Sequence, residues 1–363
     1  MNTKYLSHMR CIHCQGGLDS ISVGEVIENG LIECRECGAQ FPVIRFVPRM
    51  FEGELMVECL AFYDETVRSV PALLEYSKTT LSDRHVVAPR KAERLKSRTQ
   101  KTFSYEWKVW SRLPDFAENH FLEVMGVEEA FFRGKTGWDP AIGMGRDLSN
   151  AIKAVGVDGL MIGSDLSYAV DIAYDRCKDY PNYLIVQADL YSGFVPDGSL
   201  DFAYMIGLIQ HLTDPKQGIE KVYKKLRTGG YFVGTVYEKP KSILTKALVA
   251  VIRFMRMFTT HLPLPLVLWI SRLFALPAYL FFKLPRSILS KSEYVQEVSD
   301  QYPTHETEKG EPSYDLLVHN WFDHFTPPII GFFSDEEVLA LLSDVRLEGL
   351  ELKYGIFRGF RAQ

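Results

Sequence analysis

Four of the six cysteines stand in two close pairs, Cys11-Ile-His-Cys14 and Cys34-Arg-Glu-Cys37, with 19 residues between the pairs. Two thiolates three positions apart on a tight knuckle can bind one metal, and two knuckles complete a tetrahedron. Gly16-Gly17 and Gly38 follow the pairs, where such turns need permissive backbone. With sulfur at Cys11, Cys14, Cys34 and Cys37 no position is left open for water, so the expected metal is a structural Zn2+. His13 lies inside the first pair and could replace a cysteine, but four sulfurs suffice. Cys59 and Cys177 stand alone and read as small buried apolar residues.

A second set of candidates is acidic. Asp139-Pro-Ala141-Ile-Gly143-Met-Gly145-Arg is a glycine-bearing turn, and glycines let backbone come close to a ligand at a helix start. Asp165 follows 26 residues later in Gly163-Ser-Asp-Leu-Ser167, and Asp189 closes Gln187-Ala188-Asp189-Leu190. A carboxylate at 165 can accept hydrogen bonds from both ribose hydroxyls of a nucleoside, and one at 189 can accept a purine amine. Taken singly, each acid could simply cap the following helix. As a set they mark the carboxyl ends of three successive strands, where open α/β sheets bind ligands.

Those strands must exist for the acids to meet. The pattern predicts strands at Lys135–Asp139, Leu160–Asp165, Leu184–Ala188, Asp201–Ile206 and Tyr231–Tyr237. Helices are expected at Arg146–Val155, Ala169–Cys177 and Pro215–Leu226. Thr228-Gly229-Gly230 reads as a turn ahead of the fifth strand. Ser334-Asp-Glu-Glu337 reads as a capping box opening a helix at Glu336–Leu342, and Leu347–Lys353 and Gly355–Arg361 as closing strands. The fold class is therefore α/β: a Rossmann-like, mostly parallel, seven-stranded sheet with helices on both faces. A small N-terminal zinc ribbon and an apolar helical insert add to it. The expected division is a ribbon at 1–50, a helical, basic linker at 51–118, a nucleoside-binding core at 119–237, an insert at 238–292, and a lid with closing elements at 293–363.

Residues 10–50 resemble the small zinc ribbon of the tRNA-methyltransferase-activator family, through the knuckles, Cys37-Gly38-Ala39-Gln40-Phe41-Pro42-Val43 and Phe46-Val47-Pro48-Arg49. Residues 131–237 resemble a class I S-adenosylmethionine-dependent methyltransferase of the small-molecule, type 11-like kind. The match runs through the Asp139–Gly145 loop, Asp165, Asp189, Leu200-Asp201, Gly207-Leu-Ile-Gln-His211 and Leu226-Arg-Thr-Gly-Gly230. The resemblance implies S-adenosylmethionine as cofactor. It also implies a binding set of Asp139, Ala141, Gly143, Gly145, Asp165, Leu166, Asp189, Leu190, Ile206 and Gly207. Two positions depart from the family: Ala141 stands for its first loop glycine and Ile142 for its usual cysteine. Adenine methyltransferases tolerate that alanine, but their Asn/Asp-Pro-Pro-aromatic motif is replaced here by Met205-Ile-Gly-Leu208, which disfavours a base substrate.

His211 follows the fourth strand and is the candidate base for an acceptor that carries a proton. His319, Asp323 and His324, in a run with three aromatics, are candidates for a substrate pocket. The expected reaction is methyl transfer to an O, N or C atom of a small or lipid-like metabolite. A non-catalytic methyltransferase-fold binding module is the alternative, and an RNA methyltransferase the further one.

Composition bears on those alternatives. The 363 residues carry a formal charge of −5, with 47% hydrophobic and 24% charged residues, as in ordinary globular chains. That argues against a nucleic-acid binder working through bulk positive charge. Arg84, Arg90, Lys91, Arg94, Lys96, Arg98 and Lys101 form a local basic stretch, read as a solvated linker before the aromatic cluster Phe103–Trp110. From Lys239 to Ser292 there are nine Lys/Arg and no Asp or Glu, within a strongly apolar run. Leu262–Phe282 has the length to span a bilayer but holds Arg272 and three prolines, and one crossing would strand the closing strands. The insert is expected either to cap the active site or to rest on a membrane through 243–286, with Arg253, Arg256, Lys283 and Arg286 meeting headgroups. The N-terminus has no apolar run after its basic residues, so the expected location is cytoplasmic, including peripherally at the inner membrane surface.

Overall fold

The ribbon folds into four short antiparallel strands, β1 (Leu18–Ser20), β2 (Gly30–Cys34), β3 (Gln40–Ile44) and β4 (Val47–Met50). The computed structural model describes residues 1–22, 24–82, 91–113, 118–282 and 313–363. The β3–β4 hairpin turns on Arg45 and Phe46, both left-handed at φ 52° and 64°. Such a turn usually takes Asn-Gly. Here the strain is offset by Asn29, whose side chain accepts from the Arg45 N–H at 2.9 Å, and by Phe46 stacking on Tyr174.

The linker becomes helices α1 (Gly53–Phe62), α2 (Asp64–Ser69), α3 (Pro71–Ser82), α4 (Lys91–Val109) and α5 (Glu118–Met125). The core then alternates β5 (Thr136–Asp139), α6 (Arg146–Val155), β6 (Leu160–Asp165), α7 (Ala169–Cys177) and β7 (Tyr183–Ala188). It continues through β8 (Leu200–Met205), α8 (Pro215–Lys225) and β9 (Leu226–Thr235). The insert forms α9 (Ile243–Thr259) and α10 (Leu264–Phe282). The chain closes with α11 (Tyr314–Phe325), α12 (Asp335–Leu341), β10 (Leu347–Lys353) and β11 (Ile356–Arg361). The Ser334–Glu337 capping box is formed.

The expected seven strands are present in the order β7-β6-β5-β8-β9-β11-β10, but the sheet has eleven. The ribbon supplies the other four: β4 pairs in parallel with β7, Arg49 opposite Gln187 and Met50 opposite Ala188. A free parallel edge is a site of unwanted pairing, and β4 covers it. The predicted turn at Thr228–Gly230 is absorbed into β9, which begins at Leu226 and slips register against β8 between Leu200 and Phe202.

One buried cation clamps ribbon to core. Arg49 is fully buried; its guanidinium donates to Gln187 Oε1 at 2.8 Å, Ile44 O at 2.8 Å and Asp171 Oδ1 at 2.6 Å, and lies over the Tyr63 ring. Without Arg49, Asp171 would keep the Tyr63 hydroxyl at 2.7 Å and the more exposed Arg45 at 3.3 Å, but Gln187 Oε1 and Ile44 O would lose their buried donor; breaking a buried pair costs about 3–5 kcal/mol. Arg49→Met is expected to lower unfolding stability by at least about 3 kcal/mol in denaturant titration. A change under about 1 kcal/mol, the scale of an exposed pair, would show the cluster is no clamp.

The basic stretch differs from a solvated linker where it is described. In α4, Lys96 pairs with Asp189, Arg98 donates to Thr260 O, and Lys101 pairs with Glu58 at 2.7 Å. Arg84 and Arg90 lie outside the described residues. The insert helices pack their inner faces, with Ile252, Val267 and Ala275 buried, against Leu317, Phe322 and Phe325 of α11 and against Trp110. Among the described residues no helix is long and apolar enough to cross a membrane.

Candidate functional site

The chain runs from β5 outward in both directions, through β6 and β7 on one side and β8 and β9 on the other. The β5/β8 boundary is the topological switch point, and the crevice at the strands' carboxyl ends is where such sheets bind ligands. Asp139 ends β5, Asp165 ends β6, and Asp189 follows β7. All three border one cavity of about 270 Å³, together with Ala141, Gly143, Leu166, Leu190, Ile206, Gly207 and His211. Gly145 does not line it. It caps α6 in a left-handed conformation (φ 85°), and a Cβ there would come within 3.1 Å of Ala173.

Asp139 Oδ1 accepts from the Ala141 N–H at 3.0 Å, and Asp165 accepts from Gly143 N–H at 2.9 Å and Ser167 N–H at 2.7 Å. The two acids thus shape the loop between them. Burial pushes both carboxyls above the usual carboxylate range. The Ser167 hydroxyl and the Leu166 N–H also favour the Asp165 carboxylate, which borders the cavity, so a ligand hydroxyl there would share or replace one of these donors. Gly143 is left-handed (φ 49°), and a Cβ there would sit 2.9 Å from the Trp107 ring. Ala141 is outside the left-handed region, so a methyl group costs its backbone nothing. The side chain of Ile142 fills the space that a Cβ on Gly163 would need.

Helix α4 forms the cavity's other wall through Leu95, Lys96, Thr99, Phe103 and Trp107. The aromatic cluster Phe103–Trp110 both docks the helix, through Trp110, and lines the cavity, through Phe103 and Trp107. Lys96 pairs with Asp189 Oδ2, while Asp189 Oδ1 accepts from the Tyr191 N–H. A ligand amine at Asp189 would share or displace the Lys96 ammonium.

His211 lines the cavity between Phe103 and Tyr237, whose rings meet it edge-on. Its Nδ1 lies 3.0 Å from Ile329 O. A carbonyl can only accept, so Nδ1 carries the proton and Nε2 keeps its lone pair. Burial holds the imidazole below the ordinary histidine range, so it is neutral at pH 7.

His319, Asp323 and His324 sit on α11 behind this wall and do not line the cavity. Asp323 accepts from the Tyr237 hydroxyl at 2.8 Å, and His324 stacks on the Tyr237 ring. Burial opposes charge on Asp323, but His211, His324 and His319 hold its pKa below the usual value. His319 Nε2 lies 2.9 Å from Glu106 of α4, a residue sequence reasoning missed. Burial, reinforced by Asp323, pushes the Glu106 carboxyl up to about 7. Its one sequence signal is being the sole acid within Phe103–Trp110.

The four cysteines of the ribbon converge. Cys11 and Cys37 sulfurs are 3.7 Å apart, Cys14 and Cys34 3.4 Å, and all four lie within 4.8 Å of one another. Zinc bonds of about 2.3 Å in a tetrahedron require sulfurs about 3.8 Å apart, so the set fits that ion. His13 is turned out of this group, stacking on Phe41.

Residues 138–234 match the family model described as a methyltransferase domain. A segment of 101 residues is 34% identical to an uncharacterized 37.1 kDa protein in transposon TN4556 of Streptomyces fradiae, covering 28% of this chain and 29% of that protein. The chain thus spans about three-tenths of the length of the curated relative it matches. Among solved structures it is similar to a SAM-dependent methyltransferase from Aquifex aeolicus, at 16% identity and TM-score 0.38, over 71% of this chain and 97% of that one. It is also similar to a Zn-dependent alcohol dehydrogenase from Rhodobacter sphaeroides, at 13% identity and TM-score 0.41, over 74% and 98%.

Proposed function

We propose that this chain, whose residues 138–234 match the methyltransferase-domain model, is an enzyme that moves the methyl group of S-adenosylmethionine to an O, N or C atom of a small or lipid-like acceptor. A structural zinc in the ribbon, held by Cys11, Cys14, Cys34 and Cys37, accompanies this reading. The observation that carries it is the convergence of Asp139, Asp165, Asp189 and His211 on one cavity at the switch point. When bound, the cofactor supplies an activated sulfonium methyl that an acceptor atom displaces in line.

The chain's own residues do the rest. Asp165 accepts the ribose hydroxyls, and Gly143 lets backbone approach the nucleoside. Asp189 and Lys96 face the base. Leu95, Phe103, Trp107 and Ile329 give the remaining wall an apolar character suited to a hydrophobic acceptor. Trp107, packed over the loop, excludes water. Positioning supplies most of the rate in such a displacement.

Where the acceptor carries a proton, His211 Nε2 takes it. His211→Gln is then expected to lower kcat by about 10²–10⁴ while leaving S-adenosylhomocysteine affinity within about threefold. Because burial lowers the His211 pKa, the acid limb of the kcat profile should fall below the ordinary histidine value of about 6.5. His211→Gln with unchanged kcat would remove the residue from proton transfer. The reading itself is tested by incubating the protein with methyl-labelled S-adenosylmethionine and fractionated lipid and sugar acceptors. Transfer that disappears in Asp165→Ala is the expected result. Absence of both transfer and cofactor binding would instead support a non-catalytic module.

A further inference from the structure

The insert has two faces, and only one is used within the molecule. The inner faces of α9 and α10 pack on α11 and Trp110. The outer face of α9 exposes Ile243, Val251, Phe254, Met257 and Phe258, and that of α10 exposes Leu266, Trp269, Leu273, Leu276 and Leu280. The α10 set recurs at three- and four-residue spacing throughout, and the α9 set does so from Val251 to Phe258 with Ile243 two turns before it, so each helix carries an apolar stripe. Trp269 is 61% exposed and Phe254 58%. Scattered exposed apolar residues are ordinary, whereas stripes of this length mark an interaction surface.

Charge identifies the occupant. Lys246, Arg253 and Arg272 are exposed on the same two helices, and no acid occurs from Lys239 to Ser292. Arg256, by contrast, is turned inward and donates to His324 O at 2.8 Å and Pro327 O at 2.6 Å. Lys283 and Arg286 lie outside the described residues. A second copy docked on this face by a two-fold axis would bring cations against cations, with no carboxylate from the segment to meet them. A surface that is apolar below and anionic above satisfies both features at once. Apolar side chains enter the acyl boundary, and the cations meet phosphate.

We propose that the outer faces of α9 and α10 dock on an anionic lipid bilayer, with both helices lying in the interface plane. This goes beyond methyl transfer and holds whether or not the cavity is catalytic. The inner faces of the same helices pack on α11 and on Trp110, beside the cavity wall. Docking therefore holds the wall's supporting helices at the membrane.

The test is co-sedimentation of the full chain with sucrose-loaded vesicles of phosphatidylcholine, with and without one-third phosphatidylglycerol, at low and high salt. The protein should sediment with the anionic vesicles and less so at high salt. Arg253→Gln with Arg272→Gln should weaken binding about 25-fold. Phe254→Glu with Leu273→Glu should abolish it, and both pairs are on the surface, where folding is unaffected. No sedimentation with anionic vesicles at low salt would overturn the proposal, as would binding that the glutamate pair leaves unchanged. A concentration-dependent dimer abolished by the glutamate pair, without vesicle binding, would assign the face to a second copy.

Discussion

Chelation of the zinc proposed for Cys11, Cys14, Cys34 and Cys37 should unfold residues 1–50 and loosen the core edge beneath them. The ribbon is small: its strands are three to five residues long. Short chains of this kind seldom bury enough apolar surface to fold alone. Binding free energy of a four-thiolate zinc site, about 10–16 kcal/mol at neutral pH, is then folding free energy. Because β4 is a strand of the main sheet and carries Arg49 into the core, loss of the ribbon exposes β7. Cys34→Ser should thus lower the thermal midpoint markedly and release metal measured by mass spectrometry. His13→Ala should leave the metal content unchanged, since His13 stacks on Phe41 outside the sulfur group. A Cys34→Ser protein with unchanged metal content and melting would refute the site.

Asp165→Ala should weaken S-adenosylhomocysteine binding by at least about 100-fold. Two ribose hydroxyls donating to a carboxylate contribute about 1.5–3 kcal/mol each. The alanine also frees the Gly143 and Ser167 N–H groups that Asp165 now holds, so the loop loses its shape. Burial raises the Asp165 pKa. The sign follows: the ionised form accepts the hydroxyls, so affinity is full above the raised pKa and falls as pH drops through it. A loss of less than about fivefold, under one charged hydrogen bond, would remove Asp165 from the ribose site.

The core was legible because its signals are local. Helices Arg146–Val155 and Ala169–Cys177 and strands Leu160–Asp165 and Leu347–Lys353 fall where the hydrophobic period and the flanking Gly, Asp and Ser put them. The acids at the ends of β5, β6 and β7 meet because right-handed strand–helix units place successive strands side by side. What the sequence hid is long-range. The β4–β7 pairing joins segments about 140 positions apart, which no periodicity encodes. Lys96 on Asp189 and Glu106 on His319 likewise pair residues remote in sequence. A basic run beside an aromatic cluster looks the same whether it is solvated or docked. The outward stripes of the insert were visible as apolarity, but which face is buried depends on α11, more than fifty residues away from α9.

The central claim, that the cavity at the β5/β8 switch point binds the methyltransferase cofactor, is tested most directly by calorimetric titration of the metal-loaded protein with S-adenosylhomocysteine. The account predicts one site per chain with a dissociation constant on the order of micromolar, about −8 kcal/mol. Heat of binding should be absent from Asp165→Ala over the same range. No binding to the folded wild-type chain at about millimolar ligand would contradict it.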